Sequence, residues 1–114
     1  MDFQRRLEWI EAFKAVSEHE DGQLYALGMK GAKPIHLPLG CWVNGGEYGI
    51  SAGRTAGGAR QVIRFARDRK VLPIPPGMQV VKVQSRGLIF QNQWRYIFHE
   101  IRILYILPRE AGDE

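Results

Sequence analysis

Apolar positions in the first third of the chain recur at two different periods, and the elements follow from where the period changes. Phe3, Leu7, Ile10, Phe13 and Val16, flanked by Trp9 and Ala12, share one face at helical spacing, with Arg5, Glu8, Glu11 and Lys14 opposite. This pattern predicts an amphipathic helix from Phe3 to Ser17, capped by Asp2 and stopped at Gly22. Gln23 to Met29 reads as a strand. Ile35 to Val43, interrupted by Pro38 and Gly40, reads as an edge or irregular one. Asn44-Gly45-Gly46 is a hairpin signal leading to a partner strand, Glu47 to Ala52.

From about Ala59 the helical period returns. Ala59, Val62, Ile63 and Ala66 form an apolar face, and Arg60, Arg64 and Arg67 fall at i, i+4 and i+7 as a charged stripe that runs on toward Lys70. Val71 to Gly77 holds three prolines and reads as an extended connection. Met78 to Gln84 alternates as a strand, Ser85-Arg86-Gly87 reads as a turn, and Leu88 to Gln91 as the next strand. Trp94 to Leu107 reads as a long closing strand, buried on both faces in its second half and bent near His99-Glu100. The expected fold is α+β: an N-terminal amphipathic helix and one central basic helix packed on a mostly antiparallel sheet of five or six strands, in a single domain over residues 1–114.

Charge changes the picture because it is unevenly placed. Residues 1–21 carry six acids against three bases, a net of −3, and residues 22–107 carry twelve bases against three acids, a net of +9. A body of that sign attracts nucleic acid, an acidic protein surface or a small phosphate-bearing ligand. The hydrophobic fraction of 45% suits an ordinary globular chain. Cys41 is the only cysteine, which excludes an intrachain disulfide and a Cys-based zinc site and fits a reducing compartment. In its apolar run beside Trp42 it reads as a buried, inert thiol. No apolar leader opens the sequence and no run of apolar residues is long enough for a membrane helix, so a cytoplasmic protein is expected, in a host cytoplasm if phage-encoded.

Candidate chemistry concentrates at Gly53 to Lys70. A strand, a Gly-rich loop and a helix start leave N–H groups free for an anion, and Arg54, Thr55, Gly57, Gly58, Arg60, Arg64, Arg67 and Lys70 are the expected anion- or nucleic-acid-binding set. Trp42 and Tyr48 are candidate stacking residues beside that loop. Turn glycines and a solvated helix face are the plain alternatives. Neither a Walker pattern nor GxGxxG is present, and neither a cofactor nor a metal site is expected.

Two short stretches resemble nucleases. Gly53-Arg54-Thr55 followed by Arg60 resembles the G-[KR]-T-x4-R segment of GIY-YIG nucleases, which implies a catalytic role for Arg60 and a metal-binding one for Glu100. The sequence departs from that family where Ser51 stands at the position of its second-strand Tyr, and where no GIY strand lies upstream. Ile101 to Tyr105 is similar to the sheet of RelE-type ribonuclease toxins, which implies RNA cleavage by Arg95, His99 and Arg102. The expected function is a small, basic, non-enzymatic protein that docks nucleic acid or a nucleic-acid-handling complex, in the manner of phage or mobile-element inhibitors. RNA cleavage and small-ligand binding are the alternatives.

Overall fold

In the computed structural model, which describes residues 9–26, 35–69 and 77–108 and, for 65–69, the backbone alone, the chain builds one six-stranded antiparallel sheet and one helix among the described residues. The elements are β1 (Ile10–Glu18), β2 (Leu24–Ala26), β3 (Val43–Asn44), β4 (Ile50–Gly53), α1 (Ala56–Arg69), β5 (Met78–Gln91) and β6 (Arg95–Ile106). The protein is therefore mostly sheet, and the α+β expectation with two helices is corrected.

The largest correction is β1. The second half of the expected N-terminal helix is a central strand, paired with β5 from Ile10↔Ser85 to Ser17↔Met78 and, on its other edge, with β2 and with Gly53 of β4. Residues 3–8 of that expectation lie outside the described residues. Ala12, Lys14 and Val16 point to one face and Phe13, Ala15 and Ser17 to the other, and both faces are covered. A strand buried on both faces has apolar residues at both parities, which period analysis reads as a helix. Gly22, with φ 77°, serves the β1–β2 hairpin and not a helix end, closing it with Gly22 N donating to His19 O.

The pairing closes on itself. β1 pairs β5, β5 pairs β6, β6 pairs β4, and β4 returns to β1, all antiparallel, so four strands form a barrel-like ring. Its interior is built from Ala12, Val16, Val81, Val83, Phe98 and Ile101, joined by Leu37 from the β2–β3 connection. Outside the ring, Ala59 and Ile63 of α1 pack on Ala15 and Val80. Burying these two sets supplies the main driving force, at roughly 25 cal/mol per Å² of apolar surface.

Further expectations change. Asn44-Gly45-Gly46 does not reverse the chain: β3 and β4 both run antiparallel to β6, and Gly45 to Gly49 is an excursion between two collinear strands. Gly46 and Gly49 take φ of 73° and 75°, and Gly45 N donates to His99 O at 2.8 Å to keep the excursion pinned. Ser85-Arg86-Gly87 is not a turn either, because β5 runs unbroken through it, with Gly87 at φ 72° as a kink. The reversal comes at Asn92, whose Oδ1 accepts from Trp94 N and Arg95 N, both at 2.9 Å. In β6, Ile101 and Ile103 are buried, but Leu104, Tyr105 and Ile106 are exposed; register shifts fall between Lys82 and Val83 and between Leu88 and Phe90, the second opposite Phe98 and Ile97 and so next to His99-Glu100, across which Phe98 and Ile101 both face the core. Cys41 is exposed and not a core thiol. Among the described residues no helix is long and apolar enough to cross a membrane, which says nothing of strands.

Candidate nucleic-acid interface

The Gly-rich loop is a helix cap. Thr55 Oγ1 accepts from Gly58 N at 2.9 Å, and Thr55 O accepts from Ala59 N at 3.1 Å, so these donors of the first turn are spent inside the protein. Arg54 turns onto the β5–β6 hairpin: its Nη1 donates to Asn92 O at 2.8 Å, its backbone N to Trp94 O, and its guanidinium lies 4.8 Å from the Tyr96 ring centre. Gly57 is exposed in the first turn of α1. Arg60 and the exposed Arg64 both lie on α1, and each holds an interaction within the fold. Arg67 is on the backbone-only part of α1, and Lys70 lies outside the described residues. Tyr48 stands exposed on the Gly45–Gly49 excursion, while Trp42 is engaged elsewhere.

That elsewhere is the outer face of β1, β5, β6 and β3, beyond the footprint of α1 on Ala15 and Val80. Since Ala12, Val81, Val83, Ile101 and Ile103 point inward, alternation turns Glu11, Lys82, Gln84, Glu100 and Arg102 outward. Register lines them up: Gln84 faces Glu11 on one side and Arg102 on the other, and Arg86 faces Glu100. Trp9 precedes β1 and Trp42 precedes β3, and their ring centres approach to 6.0 Å with planes tilted by 58°. The Arg102 guanidinium carbon lies 5.6 Å from the centre of Trp9 and 4.9 Å from that of Trp42, and Arg86 lies 4.0 Å from Trp42. Each such cation–π contact is worth about 0.5–1 kcal/mol at an exposed site.

Hydrogen bonds hold the array. Arg86 Nη2 donates to Glu100 Oε2 at 3.1 Å, Arg102 Nη2 donates to Gln84 Oε1, and Lys82 Nζ pairs with Glu11 Oε2 at 3.3 Å while lying 4.2 Å from the Phe13 ring centre. Arg102 Nε is buried without a hydrogen-bond partner. Trp9 remains 53% exposed, so an indole surface is open to a planar ligand. Chemically, this face offers stacking, cationic donors and two carboxylate acceptors side by side.

Trp42, a stacking candidate by residue type beside the Gly-rich loop, lies instead beside Trp9, Arg86 and Arg102, none of which the sequence pattern groups with it. Trp9 falls within the expected helix and Arg86 within the expected turn, although the alternation of Lys82, Gln84 and Arg86 with Val81, Val83 and Ser85 marks a polar outer face. Arg95, His99 and Arg102 do not form one group. Arg95 faces Gly53, His99 stands against Gly87, and Arg102 belongs to the tryptophan array on the other parity from His99. Among the described residues no three His, Cys, Asp or Glu side chains group to hold a metal ion.

Comparison with protein-family models, curated proteins and solved structures finds no match, so geometry alone bears on function.

Proposed function

We propose that this is a non-enzymatic nucleic-acid-binding protein that lays a single strand across the outer face of β1, β5, β6 and β3. The observation that carries the reading is Arg102 lying against both members of the Trp9–Trp42 pair, with Arg86 stacked on Trp42. Aromatic faces with arginines beside them stack bases irrespective of sequence, and the net +9 of residues 22–107 adds long-range attraction for phosphate. The Arg54–Lys70 segment then contributes field and helix stability, and not the contact surface. A reducing cytoplasm suits the lone, exposed Cys41.

The test is a titration of the protein with a fluorescent single-stranded oligonucleotide, comparing wild type with Trp9→Ala and Arg102→Ala. Base stacking is worth about 1–3 kcal/mol per aromatic, so Trp9→Ala should weaken binding roughly tenfold or more. Unchanged binding in both variants overturns this face as the site. Absence of any oligonucleotide binding removes nucleic acid and leaves an acidic protein surface as the partner.

A further inference from the structure

The array contains two carboxylates, which a face built for phosphate alone has no use for. Lys82, Arg86 and Arg102 bring three positive charges, and Glu11 and Glu100 remove two of them, leaving +1. We infer, resting on the nucleic-acid reading above, that Glu100 and Arg102 make this face selective for guanine among the bases stacked on Trp9 and Trp42.

A carboxylate only accepts hydrogen bonds. Among the bases, guanine alone presents two adjacent donors, N1–H and the N2 amino group. Adenine and cytosine place a ring-nitrogen acceptor beside their single amino donor, and uracil flanks its one N–H with two carbonyls. Next to a stacking surface, a carboxylate therefore attracts guanine and repels the other three. Arginine supplies the complement, because guanine O6 and N7 accept a guanidinium in bidentate fashion.

The structure holds both partners beside the indoles. Glu100 is tied by Arg86, and Arg86 itself lies on Trp42, so one side chain fixes the carboxylate relative to the ring on which a base would stack. The Glu100 side chain is 31% exposed against 61% for Glu11, which makes Glu100 the better-fixed reader and Glu11 the solvated one. Arg102 reaches both indoles and keeps a buried Nε with no acceptor. A guanine bringing O6 and N7 toward Arg102 meets the guanidinium at its terminal nitrogens, of which Nη2 also donates to Gln84 Oε1, and not at the sealed Nε.

The experiment compares oligouridines of about ten nucleotides that carry one central guanosine, adenosine or inosine, with free guanosine monophosphate as a competitor. Inosine keeps N1–H and O6 but lacks the N2 amine. The expected result is guanosine over adenosine by roughly tenfold or more, with inosine between. Glu100→Gln should bring the guanosine-to-adenosine ratio close to one. Should that variant lose its fold on melting, the guanosine-to-inosine ratio on wild type decides alone. Competition by the monophosphate at the oligomer's own concentration keeps the base assignment and makes a free nucleotide the ligand. Equal binding of all three oligomers overturns the guanine inference and leaves the nucleic-acid reading standing. No binding by any overturns both.

Discussion

Lys14 points into the ring between Ala12 and Val16, faces Val81 across the β1–β5 pairing, and donates from Nζ to Ser51 O at 2.5 Å. Burial pushes its pKa down from 10.5 to about 8. Each tenfold change in proton affinity is worth about 1.4 kcal/mol, so the charged ammonium carries a penalty of about 3 kcal/mol in the folded state. The unfolded chain binds this proton more tightly than the folded one. Below pH about 8 the full penalty applies; between about 8 and 10.5 stability from this group rises with pH; above 10.5 none remains. Lys14→Met keeps the aliphatic length and removes the charge, losing a hydrogen bond worth about 1 kcal/mol. Near neutral pH the variant should gain about 2 kcal/mol, and the gain should shrink as pH climbs through that window. Urea unfolding of both proteins at a series of pH values reads the difference directly, with other titrating groups common to both. A variant less stable than wild type near neutrality, by an amount that does not change with pH, would refute the reasoning and mean that the ammonium is well solvated in place.

Gly87 holds φ 72°, and a Cβ there would come 2.8 Å from His99 Cβ, so Gly87→Ala should cost about 1–3 kcal/mol in the same urea assay; a loss within a few tenths of zero would show that the kink relaxes freely. Thr55→Ala removes the acceptor for Gly58 N and should cost about 1 kcal/mol of stability without changing oligonucleotide affinity. If instead it leaves stability untouched and abolishes binding, the loop is an anion site and not a cap.

How much of this was legible depended on whether an element has one covered face or two. The basic helix was readable because Ala59 and Ile63 pack while Arg64 faces water, although it starts at Ala56, where Thr55 caps it. β1 was not readable, because burial on both faces removes the alternation that marks a strand. The glycine pairs misled for a related reason. A positive φ at Gly46 or Gly87 serves an excursion or a kink as well as a turn, and only the partner strand, β6 in both cases, decides which. The site was hidden by the same step: Trp9 and Trp42 lie 33 positions apart in sequence and meet only when β1 and β3 flank β5 and β6. Trp42 was singled out for its type, but the arginines beside it required the register.

The most direct test of binding through the tryptophan–arginine face is the slope of log affinity against log salt for a single-stranded oligonucleotide, measured by indole quenching on wild type, Arg102→Ala and Trp9→Ala. Each phosphate neutralised contributes about −0.7 for a single strand. Expected are a clearly negative slope for wild type, a shallower one for Arg102→Ala, and for Trp9→Ala an unchanged slope with weaker affinity and reduced quenching. A flat salt dependence, or a steep one with no indole quenching in any of the three proteins, would contradict it.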